Sequence, residues 1–169
     1  MQTNTHVTID GEMVTIRPLR ITDAAMEANF IRCLSPTAKH YRFFGGVKEL
    51  SASEVLHLCD VDGTHSMAFV ATIRRGARDT EIGVSRYAPD SRADVREIAV
   101  TVAEDWQHTG LGLKLMLHLI ESARSNGVKQ LYSIELSDNQ TMRALAKTLG
   151  MRSDPDENDP HQTIYSLQL

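Results

Sequence analysis

The chain has 169 residues, of which 41% are hydrophobic and 24% are charged, and its formal net charge is −4. A chain of this length forms one domain with a core of its own, and its apolar content excludes a disordered chain. The acidic balance, without a visible basic patch, excludes a typical nucleic-acid-binding protein.

The sequence carries no segment typical of a membrane or secreted protein. No apolar run approaches the roughly 20 residues that span a bilayer, and residues 1–6 lack the basic and apolar regions of a secretory signal. Cys33 and Cys59 are the only cysteines, and their apolar surroundings predict two buried free thiols. We therefore expect a cytoplasmic protein without a membrane partner.

The first third of the chain contains hairpin and helix signals. Residues 6–16 alternate in polarity around a central Asp-Gly pair, which predicts a β-hairpin. A Thr-Asp pair at 22–23 offers N-caps for a helix to about residue 34, where a Ser-Pro pair breaks it. Ser51 and Glu54 form a capping box, which predicts the start of a second helix.

Strand signals dominate the middle of the chain. Residues 67–73 and 81–87 are rich in β-forming residues, and the polar stretch 74–80 between them predicts a hairpin. Residues 95–103 alternate between apolar and small or polar side chains, which predicts a further strand.

The last third of the chain alternates between helix and strand signals. Residues 110–126 form an amphipathic helix pattern, and residues 130–136 form a strand pattern. An Asp-Asn pair then caps a helix that ends near residue 149. Residues 154–160 read as an acidic loop and residues 163–169 as a closing strand. This order of elements predicts an α/β fold with a mixed sheet.

A glycine-rich turn joins the strand at 95–103 to the following helix. Amides at a helix start are unpaired and the helix dipole adds positive potential, so this turn is a candidate phosphate site. Gly110 and Gly112 carry no Cβ, which allows a diphosphate to approach the backbone. The residues after Gly112 do not fit a Walker loop, and Leu115 stands where a dinucleotide fingerprint needs its third glycine.

The pattern Gln107-x-x-Gly110-x-Gly112 resembles the acetyl-CoA signature of the GNAT superfamily of N-acetyltransferases, which is Arg/Gln-x-x-Gly-x-Gly/Ala. Further along, the segment from Asn139 to Gly150 resembles the next signature of that family, in which an asparagine opens a helix that ends in glycine and an apolar residue. The order of the strands from Val14 to the C-terminus also resembles the family.

The resemblance implies both a fold and an activity. The fold is a single GNAT domain over residues 1–169, with a mixed, mostly antiparallel central sheet flanked by helices on both faces. Residues 1–11 are an N-terminal extension or a hairpin strand. The activity is acetyl transfer from acetyl-CoA to a primary amine, without a metal. The segments 34–36, 41–44 and 97–107 resemble the GNAT domain of bacterial protein lysine acetyltransferases more closely, so a protein lysine is the sharper expectation.

Glu97 is the candidate general base. An amine acceptor arrives protonated, so a base must take its proton before the amine attacks the thioester. Glu97 lies on the strand that leads into the turn, on the face shared with the small Ala99 and Thr101. In the resembling lysine acetyltransferases the matching glutamate is the base. The alternative is a solvated edge glutamate, in which case Glu104 or Asp105 would be tried next.

The resemblance also assigns coenzyme contacts. Backbone groups near residues 98–102 would hold the pantetheine and polarise the thioester carbonyl, and the amides of the turn would bind the diphosphate. Asn139 would contact the coenzyme or an ordered water, with a simple N-cap as the alternative. The candidate coenzyme-binding residues are Ile98, Ala99, Val100, Val102, Gln107, His108, Thr109, Gly110, Leu111, Gly112 and Asn139.

The leaving thiolate has no evident proton donor in the sequence. Many GNAT enzymes have a tyrosine seven residues after the motif asparagine, where this chain has Ala146. Tyr132 and Tyr165 lie elsewhere in the sequence. We therefore expect that solvent, or a water held near Asn139, protonates the thiolate.

Two other functions stay open at this point. One is a non-catalytic module that binds CoA or a partner as a sensor, and the other is an enzyme that acetylates a small-molecule amine. Loops build acceptor sites and vary in sequence, so the acceptor is not identified. A homodimer is also left open.

Overall fold

The structure is a computed structural model that describes residues 4–46 and 49–169. Its strands are β1 Thr5–Ile9, β2 Glu12–Pro18, β3 Met67–Arg75, β4 Arg78–Pro89, β5 Val95–Val102, β6 Gln130–Leu136, β7 Arg152–Pro155 and β8 Gln162–Gln168. They form one eight-stranded sheet in the order β1-β2-β3-β4-β5-β6-β8-β7. Neighbouring strands are antiparallel except for β5 and β6, which are parallel.

Helices cover both faces of this sheet. They are α1 Ala24–Cys33, α2 Pro36–Phe43, α3 Ala52–Cys59, α4 Leu111–Ser125 and α5 Gln140–Thr148. Leu115 of α4 and Met142 of α5 belong to the main core on one face, whereas Phe30 of α1 and Val55 of α3 pack on the other. The predicted α/β fold is therefore confirmed. Within the described ranges, no helix is long and apolar enough to cross a membrane.

Helix starts follow local capping chemistry. The Ser51 hydroxyl accepts a hydrogen bond from the Glu54 amide at 3.3 Å, and the Glu54 carboxylate accepts one from the Ser51 amide at 2.7 Å, as the capping box predicted. The Ser35 hydroxyl accepts from the Ala38 amide at 3.2 Å, with Pro36 in the first turn. The Ser-Pro pair that predicted only a break therefore also begins α2, a helix that the sequence pattern missed.

Two further expectations are corrected. Cys59 is buried, which raises the pKa of its thiol to about 11, but Cys33 is exposed because it lies on the solvent side of the last turn of α1. The segment expected to be an acidic loop begins inside β7, which pairs with β8 over four residues.

The parallel pair β5 and β6 positions the site. The two strands are paired only between residues 95–97 and 130–132. Beyond this point β5 continues along β4 to Val102, while β6 continues along β8 to Leu136. The two strands therefore diverge, and among the described residues no strand pairs with the edge of β5 over residues 98–102 on that side.

Candidate active site

A cleft of about 440 Å³ opens where β5 and β6 diverge. Its walls come from α2, the edge of β5, the turn before α4, β6 and α5. The volume lies in the range of small-molecule sites. The predicted residues in its lining are Glu97, Ile98, Ala99, Val100, Val102, Gln107, His108, Gly110, Gly112 and Asn139.

Thr109 and Leu111 are the two predicted residues that lie outside the lining formed by the described residues. The side chain of Leu111 is fully buried in the core. The Thr109 hydroxyl donates to the Trp106 carbonyl at 2.6 Å and accepts from the Leu111 amide at 3.4 Å. Both side chains therefore shape the turn, and only the Thr109 amide is left to face a ligand.

The turn before α4 presents open amides. After a short 3₁₀ turn over Glu104–Trp106, the backbone is left-handed at His108 and at Gly110, with φ of 61° and 87°. No acceptor is found among the described residues for the amides of His108, Thr109, Gly110, Gly112 and Leu113. Unpaired donors at the start of a helix of 15 residues form a site for an anion such as a diphosphate.

The two glycines of the turn serve different purposes. Gly110 has a φ of +87°, which L-residues rarely adopt, so it is required by the backbone conformation. Gly112 has ordinary helical geometry, and a Cβ there would lie 3.7 Å from Val102 and 3.8 Å from Leu145, which are normal contacts. The absence of a side chain at Gly112 therefore keeps the cleft open above the helix start.

Glu97 lies at the point where the cleft begins. It is the last residue of β5 that pairs with β6, opposite Tyr132. Its side chain is exposed and lines the cleft. Glu104, the alternative base, also lines the cleft but belongs to the turn that precedes α4. Glu97 and the open amides therefore occupy opposite ends of β5 within one cleft.

Glu135 is a charged residue of the cleft that the sequence did not single out. It accepts a hydrogen bond from the Ser133 hydroxyl, and burial raises the pKa of its carboxyl although Ser133 and the Arg42 guanidinium act in the opposite direction. Burial lowers the pKa of Arg42, which interacts favourably with Glu97 and Glu135. A glutamate between the apolar Ile134 and Leu136, four residues before Asn139, was the available signal.

Asn139 caps α5, because its side-chain oxygen accepts from the Met142 amide at 3.1 Å. Ala146 is buried in the core. Tyr165 is also buried there, and neither it nor Tyr132 lines the cleft formed by the described residues. Burial and a hydrogen bond to Asp90 raise the pKa of Tyr132 to about 12.

The fold and the cleft define an α/β protein with a turn of open amides beside a diverging pair of parallel strands. The model of the acetyltransferase (GNAT) family matches residues 38–151. The chain is 44% identical over 160 residues to Acetyltransferase PA5475 of Pseudomonas aeruginosa, covering 95% of this chain and 86% of that protein. It is 32% identical over 142 residues to Acetyltransferase Pat of Mycolicibacterium smegmatis, covering 83% of this chain and 41% of that protein.

Among solved structures, the GNAT domain of S. lividans PAT superposes with a TM-score of 0.86 and 24% identity, covering 98% of this chain and 97% of that chain. This likeness concerns the fold. The family model and the sequence relatives go further, and the chain therefore belongs to the GNAT family of acetyltransferases. Within residues 4–46 and 49–169, no group of His, Cys, Asp and Glu side chains is arranged to hold a metal ion.

Proposed function

We propose that this protein transfers an acetyl group from acetyl-CoA to a primary amine by direct attack, with Glu97 as the general base. One observation carries the proposal. A single cleft connects the open amides at the start of α4 with the Glu97 carboxylate at the junction of β5 and β6. An extended donor bound at one end can therefore meet an amine at the other.

The cleft suits the parts of acetyl-CoA. The open amides from His108 to Leu113 would bind the diphosphate, and the α4 dipole would favour its negative charge. The edge of β5 over residues 98–102 offers backbone groups to the amides of the pantetheine arm. An amide of that edge would also polarise the thioester carbonyl. These interactions hold the thioester near Glu97.

Glu97 suits the role of base because it is exposed at the cleft wall, where an ammonium can reach it. A carboxylate attracts the cationic acceptor and then removes its proton, directly or through one water. The neutral amine attacks the carbonyl carbon without a covalent enzyme intermediate. Glu135, on the facing strand, adds a second carboxyl group to the same cleft.

We further propose that the acceptor is a protein lysine. The segment 41–44 and the segment 97–107, which resemble protein lysine acetyltransferases, both contribute to the cleft wall. The 32% identity with Acetyltransferase Pat supports acetyl transfer. A lysine side chain is long enough to bring an ammonium into a cleft while its protein stays outside.

The test is incubation of the protein with acetyl-CoA and a whole-cell protein and metabolite extract, followed by thiol titration and mass spectrometry. We expect free thiol to appear with time and acetyl-lysine to appear on proteins. Acetylated metabolites alone would replace the lysine assignment with a small-molecule acceptor. No acceptor-dependent thiol release would support a module that binds CoA without turnover.

The base is tested with Glu97→Gln, which keeps the shape and removes the proton acceptor. We expect kcat to fall by about a hundredfold or more with little change in acetyl-CoA affinity. Glu104→Gln is the matched control, because Glu104 is an exposed glutamate of the same cleft, and it should stay within about threefold of wild type. Retained activity in Glu97→Gln together with loss in Glu104→Gln would transfer the role to Glu104.

A further inference from the structure

The proposed reaction needs a proton at sulfur. When the carbon–sulfur bond breaks, the electron pair stays on sulfur, and a thiolate leaves more easily if an acid protonates it as it departs. Ala146 has no proton to give, and Tyr132 and Tyr165 lie outside the lining of the cleft that the described residues form. The cleft itself therefore has to be searched for a donor.

Tyr41 of α2 is a tyrosine that the structure places in this cleft. Ala38, Tyr41 and Arg42 line the cleft together, because residues three and four positions apart share one face of a helix. Because Ala38 packs in the core, this face of α2 is turned toward the sheet. Tyr41 thus enters the cleft from the side of α2, opposite the start of α5.

The Tyr41 hydroxyl reaches across the cleft. It donates to the backbone carbonyl of Asp138, the residue before the cap of α5, over a distance of 3.4 Å. A bond of this length is weak, so the hydroxyl can leave the Asp138 carbonyl at little cost. The phenol group therefore spans the gap between the wall formed by α2 and the start of α5, within the cleft that β5 also lines.

Other hydroxyls of the cleft are poorer donors. The Ser133 hydroxyl is committed to Glu135, and the Ser35 oxygen caps α2. Aliphatic hydroxyls are also far weaker acids than a phenol, whose ordinary pKa is about 10, close enough to that of a thiol for proton transfer. The start of α5, where the positive end of its helix dipole lies, is next to Tyr41.

We propose that Tyr41 is the acid that protonates the leaving thiolate, which rests on the proposed acetyltransferase function. The amine nitrogen forms a bond to the acetyl carbon, the carbon–sulfur bond breaks, and the Tyr41 proton moves to sulfur. Of the three ammonium protons, one stays on the amide and two leave through Glu97 and water. One proton returns from solvent to the phenolate, so the net reaction releases one proton with the amide and the CoA thiol.

The first test is Tyr41→Phe, measured by steady-state kinetics with acetyl-CoA. We expect kcat to fall by about a hundredfold while the KM for acetyl-CoA stays within about threefold, because the ring remains and only the acid is lost. Tyr132→Phe and Tyr165→Phe are the matched controls outside the cleft, and each should keep kcat within about threefold of wild type.

A second test separates acid chemistry from a packing role. Fluorotyrosines at position 41 keep the ring and the hydroxyl but make the phenol more acidic, so kcat should recover from the level of Tyr41→Phe and vary with the acidity of the phenol. Wild-type kcat in Tyr41→Phe, or a rise in the KM alone, would overturn the proposal and return the role to solvent. If the wild-type protein shows no acceptor-dependent thiol release, the acetyltransferase function fails instead.

Discussion

Gly112 gives the sharpest test of the anion-binding turn at the scale of a single residue. Gly112→Val adds branched carbons to the floor of the cleft, where the diphosphate must approach the amides. We expect CoA affinity to fall at least tenfold, or about 1.4 kcal/mol, in a calorimetric titration. The fold should survive, because a Cβ at this position makes only normal contacts with Val102 and Leu145.

Gly112→Ala is the graded control for this prediction, and it should weaken binding less than Gly112→Val. Substitution of Gly110 is a poorer test, since its left-handed backbone strains any side chain whether or not a ligand is bound. Unchanged CoA affinity in a folded Gly112→Val protein would remove the turn from the coenzyme site.

The cleft residues that belong to sequence motifs could be predicted from the sequence. Those that reach the cleft through tertiary packing could not. Glu97, Gly112 and Asn139 stand at fixed spacings from a recognisable turn or helix start, so their placement follows from local chemistry. Tyr41 and Glu135 lie in the cleft only because α2 packs over β5 and because β6 turns away from it. Those relations join segments far apart in the chain, which no local pattern encodes.

At the scale of elements, the start of α5 combines a cap with a cleft wall. Asn139→Ala removes the acceptor of the Met142 amide and should cost about 1 kcal/mol of stability. In a thermal melt this corresponds to a decrease in Tm of about 2–4 °C for a chain of this size.

Asn139→Asp is the matched variant, because a carboxylate oxygen can still accept from the Met142 amide while the side-chain NH₂ is lost. We expect its Tm to stay above that of Asn139→Ala. If acetyl-CoA affinity is unchanged in both variants, Asn139 acts only as a cap. If Asn139→Asp keeps the Tm and loses affinity, its amide group contacts the coenzyme.

The helix start with a complete capping box was predictable, whereas the start of α2 was not. The capping box is specific: a serine at 51 followed by a glutamate at 54 predicts the start of a helix. A Ser-Pro pair, in contrast, is compatible with the end of one helix and with the start of the next, and here it does both between α1 and α2. The Ser-Pro pair was therefore interpreted only as the end of the first helix.

At the scale of the whole molecule, a buried carboxyl group on β4 affects stability. Glu81 is almost completely buried, and neither of its oxygens has a hydrogen-bond partner among the described residues. Burial, followed by the nearby Glu27 carboxylate, raises the pKa of Glu81 to about 10. Glu27 is ion-paired with Arg86, so Glu81 is the member of the pair that carries the proton.

This shift makes the protein less stable as the pH rises. The folded state holds the Glu81 proton up to about pH 10, whereas an unfolded glutamate loses it near its ordinary pKa of about 4.3. The free energy of unfolding therefore decreases progressively as the pH rises from the pKa of the unfolded state toward that of the folded state. Glu81→Gln removes this dependence, and its amide can donate to the unpaired oxygen of Glu27.

We expect Glu81→Gln to raise the Tm at pH 8 by about 2–4 °C, corresponding to about 1 kcal/mol, with a smaller gain at pH 5. The measurement is a series of thermal melts from pH 5 to pH 9. Glu121→Gln on the exposed face of α4 is the control and should follow the wild-type pH dependence. A Tm gain for Glu81→Gln that is equal at every pH would show that Glu81 does not hold its proton.

The class of the fold followed from the order of strand and helix patterns, but the geometry of the sheet did not. Alternating β and α signals after residue 95 required a parallel pair somewhere. Where β5 and β6 part depends on the packing of α2 and α5 against the two strands, which involves contacts across most of the chain length. The sequence therefore indicated a site after β5 without indicating the shape of the cleft.

The divergence of β5 and β6 also protects the protein from unwanted association. An unpaired strand edge is a template on which another polypeptide can add a strand and begin to aggregate. The edge of β5 over residues 98–102 is less accessible to such a strand, because it lies within the cleft between β5 and β6. At the outer edges of the sheet, β1 and β7 have only five and four residues, and β7 ends in Pro155. The same gap between β5 and β6 is the one that would receive the pantetheine arm of acetyl-CoA in the proposed reaction.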